Sequence, residues 1–164
     1  MANGEYRMEK HYSRAFLLTG GRGVGKTTVC QAVAELARRR GYRPGGVITP
    51  ALYACPEPGR RACPADWELG IGNWELTKVG FEAVDVGSGE RWPLARTDQD
   101  LGGPRVGPYS FDPTALDKAL RVLRGAATAG CDLLMVDEIG PLELEQGKGF
   151  APILELLPSA VMES

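Results

Sequence analysis

The sequence predicts an α/β domain, in which helices cover a mainly parallel β-sheet. Three observations support this prediction: a glycine-rich loop joins an apolar run to an amphipathic helix, a second apolar run follows that helix, and a third ends on two acidic residues. Short buried strands that alternate with helices are typical of strand–helix–strand units, whose strands run parallel. The length of 164 residues suits one domain with a single core.

Composition and charge exclude several classes of protein. Nineteen Lys and Arg against 21 Asp and Glu give a net charge of −2, so no overall basic field can hold a nucleic acid or an anionic membrane. No apolar run approaches the ~20 residues of a membrane span, and residues 1–5 lack the basic-then-apolar order of a secretory signal. We therefore expect a cytoplasmic protein with no membrane partner and no strong nucleic-acid signal. The four cysteines are too scattered for a disulfide framework, and Cys30 and Cys131 are expected to be buried thiols.

The first part of the chain predicts a right-handed strand–helix–strand unit. Residues 1–13 are polar, and we expect a frayed N-terminus ahead of a single domain over residues 14–164. Residues 14–19 predict a strand buried on both faces, and residues 46–49 predict a second one. Between them, residues 27–40 predict a helix with arginines in its last turn. The apolar positions of this helix are Val29, Ala32, Val33, Leu36 and Ala37.

The middle of the chain predicts an insertion and a hairpin. Residues 51–77 are rich in loop-forming residues, and we interpret them as an excursion from the same domain. Residues 78–86 alternate in polarity, and residues 87–89 read Gly-Ser-Gly and turn the chain into residues 91–95, which predicts a β-hairpin. Pro93 predicts that the second arm is an edge strand.

The last part of the chain predicts helix, strand and helix. Asp112 before Pro113 is a typical helix start, and leucines at 116, 120 and 123 would share one face. Residues 131–136 predict a strand that ends at Asp137, and residues 150–157 predict a final short helix.

Residues 20–27 satisfy the phosphate-binding pattern G-x-x-x-x-G-K-[S/T], the Walker A motif. Its glycines let backbone N–H groups converge on an oxyanion, and the following helix adds the positive end of its dipole. Lys26 is expected to contact the β- and γ-phosphates, Thr27 to bind Mg²⁺, and Thr28 to cap the helix or touch the α-phosphate. The alternative is a glycine turn with an incidental Lys-Thr pair. The predicted nucleotide-binding residues are Gly20, Gly21, Arg22, Gly23, Val24, Gly25, Lys26, Thr27 and Thr28.

The acidic pair at the end of the later strand predicts the other half of the site. Ligands bind at the carboxyl ends of strands in open α/β sheets, so Asp137 is expected near the same Mg²⁺ as Thr27. Glu138 could act as general base for the attacking water, or could be a solvated or helix-capping glutamate. Residues 137–140 also spell D-x-x-G, in which the N–H of Gly140 would contact the γ-phosphate of a switch GTPase. The tetrapeptide alone does not choose between these mechanisms.

With residues 19–28 and 136–144, the chain resembles the THEP1-type nucleoside-triphosphatases. Further likeness lies in residues 80–86, 93–96 and 105–109. The resemblance implies a three-layer, RecA-like P-loop fold and Mg²⁺-dependent hydrolysis of ATP, GTP and other nucleoside triphosphates to the diphosphate and phosphate. Four residues match the family's motif positions, namely Lys26, Thr27, Asp137 and Glu138.

The chain departs from the family pattern in two places. Residues 51–77 are longer than the connection expected there, and the chain stops at Ser164, where family members enter another buried strand. In RecA-like sheets that strand lies between the phosphate-loop strand and the acidic one. We therefore expect a C-terminally truncated domain with a central gap in its sheet, or a strand supplied by a protein partner or an oligomer.

Weaker signals leave alternatives open. Cys55 and Cys63 have poor spacing for a zinc site, and Trp67 and Trp74 are more consistent with local packing than with base stacking. Glu143 and Glu145 are expected to face solvent, whereas four arginines could meet phosphate charge: Arg22, Arg91, Arg96 and Arg105. A small-molecule kinase and a nucleotide-dependent switch or assembly module are the alternatives to a hydrolase.

Overall fold

The computed structural model describes residues 15–21, 23–54 and 77–156. Helix α1 (Lys26–Arg39) precedes strands β1 (Pro44–Ile48) and β2 (Ala51–Tyr53). The chain continues through β3 (Lys78–Asp85), β4 (Arg91–Arg96), β5 (Arg105–Val106), β6 (Tyr109–Phe111), α2 (Pro113–Thr128), β7 (Leu133–Val136), α3 (Pro141–Leu144) and a 3₁₀ helix (Ala151–Leu156). The predicted insertion, with both its cysteines and both its tryptophans, falls almost wholly outside the described residues.

The strands form one mixed sheet in the order β5-β6-β4-β3-β1-β7, and β2 also pairs with β3. Among the described pairings only β1 with β7 is parallel, and the other pairings are antiparallel. The prediction of helices on a sheet with an added hairpin is confirmed, but the expectation of a mainly parallel sheet is not met. Short connections join β3 to β4 and β5 to β6, and such connections force antiparallel pairing, since a parallel pair needs a long crossover.

Two apolar clusters cover the two faces of the sheet. Alternate residues of β1 point to opposite sides, so Val47 packs with α2 and Ile48 packs with α1. The α2 side also holds Ala83, Leu94, Leu116, Leu123 and Ile153. The α1 side holds Ala34, Val84, Val86 and Met135. The described residues therefore form three layers, with the sheet between helices.

Gly46 allows β1 to lie close to β7. Its φ is +105°, and a Cβ at this position would overlap the backbone of Met135 in β7. Only glycine combines this backbone conformation with so close an approach. The parallel pair that presents Asp137 therefore depends on Gly46.

The prediction of a buried strand at residues 14–19 is wrong for the described part of that segment. Residues 15–19 form no strand, and the side chains of Phe16 and Leu17 are 87% and 77% exposed. A strand needs a partner for its backbone N–H and C=O groups. Among the described strands β7 pairs only with β1, and none pairs with residues 15–19. β7 is therefore an edge strand of the described sheet.

Helix α1 begins at the predicted place but buries a different face. Ala34 is buried and Cys30 packs against the α1-side cluster, whereas the predicted apolar positions Val29, Val33 and Leu36 are exposed. Periodicity gives the width of an apolar stripe but not the surface that covers it.

The predicted hairpin and second long helix are confirmed. β3 and β4 pair antiparallel around residues 86–90. Asp112 caps α2, because its Oδ1 accepts hydrogen bonds from the N–H groups of Thr114 at 2.8 Å and Ala115 at 3.2 Å. The prediction from Pro93 that β4 is an edge strand is wrong, since β6 pairs with the end of β4 beyond the proline.

Smaller expectations meet mixed outcomes. Cys30 and Cys131 are half-buried rather than fully buried. The final short helix is a 3₁₀ helix. In the described part of the chain, no helix is long and apolar enough to cross a membrane.

Candidate nucleotide site

The phosphate-binding pattern forms a loop that leads into α1. Gly23 and Gly25 have φ values of +76° and +91°, in the left-handed region that favours glycine. Gly25 is the N-cap of α1 and supplies no side-chain acceptor, and the first turn contains no acidic residue. The N–H groups at the start of α1 are therefore available to an anion, and the helix dipole favours negative charge there. Arg22 lies outside the described residues.

Lys26 folds back over this loop. Its Nζ donates to the carbonyl oxygens of Gly20 at 2.8 Å and Gly21 at 2.9 Å. These contacts hold a positive charge above the loop glycines. An anion within the loop would therefore meet both backbone N–H groups and the ammonium group.

Asp137 follows β7 directly and is 7% exposed. Its backbone N–H donates to the carbonyl of Val47 at 3.1 Å, so the parallel pairing with β1 extends to this residue. Its side chain accepts a 2.8 Å hydrogen bond at Oδ2 from the Oγ1 of Thr27. The fold thus brings together a hydroxyl and a carboxylate that are 110 residues apart in the sequence.

Thr49 is a neighbour of this carboxylate that sequence reasoning missed as a site residue. Its backbone N–H and its Oγ1 both donate to Oδ2 of Asp137, at 3.1 Å and 3.3 Å. The signal was available, since Thr49 is the last residue of the predicted second strand. Functional side chains of α/β sheets gather at the carboxyl ends of strands.

Cys30 lies close enough to Asp137 for the charge of this carboxylate to change the pKa of its thiol. Burial raises the pKa of the Cys30 thiol, and the negative charge of Asp137 raises it further. The thiol is therefore held in its neutral form beside the carboxylate.

Glu138 is exposed and has a φ of +68°, the one described non-glycine residue with a positive φ. The left-handed conformation costs a residue with a Cβ about 1–2 kcal/mol. Residues kept in such conformations cluster at functional sites. This conformation begins the turn that leads from β7 towards α3.

Glu143 is buried, so the expectation that it faces solvent is wrong. It is 6% exposed, and its two oxygens accept N–H groups from Gly140 at 3.0 Å and Phe150 at 3.1 Å. Gly140 is the N-cap of α3, and a glutamate three residues later is the spacing of a capping box, a signal that sequence reasoning overlooked. Glu145 is exposed, as expected.

The three described arginines considered for phosphate binding are paired with acidic side chains. Arg91 pairs with Glu82 at 2.7 Å. Arg96 pairs with Asp98 at 2.6 Å, and Arg105 pairs with Asp100 at 2.8 Å. Their guanidinium groups are therefore engaged within the sheet and its loops. Within residues 15–21, 23–54 and 77–156, no group of three or more His, Cys, Asp or Glu side chains could hold a metal ion by itself.

Comparison with known proteins gives the context of these residues. A family model described as NTPase matches residues 15–63 and 74–161. Twenty-four curated proteins match the chain significantly. The nucleoside-triphosphatase THEP1 of Methanopyrus kandleri is 36% identical over 79% of this chain and 59% of its own length. The protein of the same name from Methanothermobacter thermautotrophicus is 31% identical over 89% of this chain and 71% of its own length.

A third relative, the nucleoside-triphosphatase THEP1 of Hyperthermus butylicus, is 38% identical over 78% of this chain and 57% of its own length. The chain spans about three-fifths of the length of several of these relatives. No solved structure matches the chain significantly.

Proposed function

We propose that this chain, which belongs to the NTPase family, hydrolyses nucleoside 5′-triphosphates to the diphosphate and phosphate. Its relatives that are named nucleoside-triphosphatases support the proposal. ATP and GTP are among the proposed substrates. The proposal extends to a RecA-like arrangement of the whole domain, supported by the parallel β1–β7 pair with an acidic residue at its carboxyl end.

The 2.8 Å hydrogen bond from Thr27 to Asp137 carries this proposal. Nothing in the local sequence of either residue requires them to meet. A hydroxyl after the loop lysine and a carboxylate at a strand end are the two protein groups that organise the metal in P-loop NTPases. Their contact at the mouth of the glycine loop supports a triphosphate site there.

The donor set fits Mg²⁺. The hydroxyl of Thr27 has one proton, and it donates that proton to Asp137, which leaves its oxygen lone pairs for a metal ion. Hydroxyl and carboxylate oxygens are hard ligands of the kind that Mg²⁺ prefers, and Mg²⁺ is commonly held by one or two such groups together with substrate phosphates and waters. When bound, the ion would neutralise charge on the phosphate oxygens.

Each protein group then has a defined part in the reaction. The loop N–H groups and Lys26 bind and orient the phosphates, with Lys26 exchanging the carbonyls of Gly20 and Gly21 for phosphate oxygens. Glu138 accepts a proton from the attacking water while the oxygen of that water forms a bond to the γ-phosphorus. The bond from the γ-phosphorus to the bridging oxygen breaks, and the diphosphate leaves with the electron pair.

The contact between Gly140 and Glu143 favours this mechanism over a GTPase switch. In the D-x-x-G interpretation the N–H of Gly140 must point to the γ-phosphate. Here that N–H donates to Oε2 of Glu143 at 3.0 Å, within a half-buried cap. The N–H of Gly140 is therefore used in a hydrogen bond within the protein. This supports Glu138 as the residue of the motif that takes part in the reaction.

The experiment is phosphate release from ATP, GTP, CTP and UTP with Mg²⁺ and no acceptor. Lys26→Ala should lower turnover by about 100-fold or more, since it removes a donor to developing charge. Glu138→Gln should lower turnover by about 10²–10⁴-fold while nucleotide binding persists. Lys148→Ala and Glu145→Gln are matched controls, because both residues are exposed and lie outside the proposed site.

The outcomes separate the alternatives. Wild-type turnover in Lys26→Ala would refute the assignment. Loss of both binding and turnover in Glu138→Gln would make Glu138 a structural residue. Phosphate transfer that requires an added acceptor would indicate a kinase.

A further inference from the structure

The carboxylate of Asp137 is held from two sides, and Thr49 supplies one of them. Oδ2 of Asp137 receives hydrogen bonds from Thr27 Oγ1 at 2.8 Å, Thr49 N at 3.1 Å and Thr49 Oγ1 at 3.3 Å. Two of these three donors belong to a single residue of the neighbouring strand end. Asp137 and Thr49 are 7% and 2% exposed, so little water competes for these contacts.

Thr49 is itself firmly placed. It follows β1, whose residues are all buried, and it precedes Pro50, which restricts it to extended backbone. Threonine is branched at Cβ, so its χ1 is confined to few conformations. The carbonyl of Pro50 also accepts the N–H of Glu82 at 3.0 Å, which ties this strand end to β3.

We infer that Thr49 is a positioning residue for the metal-organising carboxylate. The terminal torsion of an aspartate is broad, so the bond from Thr27 alone does not fix the plane of the carboxylate. The two donors of Thr49 contact Oδ2 from the residue that follows β1, and they hold that oxygen against the hydroxyl of Thr27. With Oδ2 engaged in this way, Oδ1 would be the carboxylate oxygen available to a metal-bound water. Thr49 contacts neither metal nor phosphate in this role and acts only through Asp137.

This inference rests on the proposed function, and nucleotide binding separates the two. The affinity for a non-hydrolysable ATP analogue is measured by calorimetry, once in excess EDTA and once with Mg²⁺. The ratio of the two Kd values is the magnesium enhancement. Thr49→Val removes the hydroxyl but keeps the backbone N–H, and should lower the enhancement by about tenfold, the effect of one hydrogen bond to a charged group. Affinity in EDTA should stay within about twofold of wild type.

Three further variants make the test specific. Thr49→Ser restores a hydroxyl and should recover most of the enhancement. Thr97→Val removes another 3.3 Å hydroxyl hydrogen bond, to the carbonyl of Val79, and should leave the enhancement unchanged. In an Asp137→Asn background, Thr49→Val should have no further effect, because a residue that acts through Asp137 has nothing left to position.

The possible results distinguish a failure of the proposed function from a failure of this inference alone. A wild-type protein without magnesium enhancement overturns the proposed function together with this inference. Enhancement in the wild type that persists in Thr49→Val overturns the inference alone, as does an equal loss of affinity with and without Mg²⁺. Circular dichroism checks folding, and Thr49→Ala replaces Thr49→Val, with the same expected outcome, if valine does not fit.

Discussion

Truncation of Glu143 should destabilise the protein far more than its place in a charged surface segment suggests. The carboxylate is 6% exposed and accepts two backbone N–H groups, at 3.0 Å and 3.1 Å. A hydrogen bond to a charged group contributes about 1.5–3 kcal/mol, so Glu143→Ala should lower the free energy of unfolding by about 3–6 kcal/mol. That is a large part of the roughly 5–15 kcal/mol that holds a typical domain folded.

The assay is urea unfolding followed by circular dichroism, with thermal melts as a second measure. The melting temperature should fall by roughly 6–24 °C, given about 2–4 °C per kcal/mol for a domain of this size. Glu143→Gln keeps one acceptor and turns the other into a donor that faces a backbone N–H, so it should cost at least half as much. Glu145→Ala is the matched control and should stay within about 0.5 kcal/mol of wild type. A Glu143→Ala variant as stable as this control would refute the reasoning.

Two more predictions follow from the described geometry. Glu138→Asn should be more stable than Glu138→Gln by about 0.5–1 kcal/mol, because asparagine tolerates the φ of +68° better than glutamine does. Both variants should lose turnover. Equal melting temperatures of the two variants would count against strain at this residue. Hydrogen bonds lower the pKa of Asp100 from its usual 3.8 to about 2; the N–H of Gly102 has the largest effect, and Arg105 and Ser110 add to it. A folded-state pKa below the unfolded value stabilises the protein above pH ~4, and this contribution is lost as the pH falls towards 2. Asp100→Asn should therefore be less stable than wild type at pH 7, and urea midpoints should converge between pH 4 and 2; a constant difference would contradict the assignment.

Local sequence patterns were sufficient where neighbouring residues supply the physical cause. The hairpin depends on a glycine turn between two strands, and the start of α2 depends on Asp112 and the proline after it. The start of α1 depends on Gly25, which adopts a left-handed backbone conformation and has no side chain to cap the first N–H groups of the helix. In each case the determining contacts lie within a few residues, so the sequence could be interpreted without knowledge of the fold.

Patterns failed where burial depends on distant partners. Val29 and Val33 have helical spacing, yet α1 turns Ala34 and Cys30 to the sheet. Phe16 and Leu17 read as a buried strand, yet no described strand pairs with them. Glu143 reads as a surface charge in an acidic run, yet its cap and its contact with Phe150 bury it. Apolar or charged character does not state which surface will cover a residue.

The candidate site divides along the same line. The order of residues by itself specified the glycine loop, its lysine and threonine, and an acidic pair at a strand end, because each motif is continuous. The tertiary structure alone decided that Thr27, Thr49 and Asp137 meet at one carboxylate oxygen. Those contacts need the parallel pairing of β1 with β7, which depends on the absence of a side chain at Gly46. Sheet pairing joins residues that are far apart along the chain, and no local pattern carries that information.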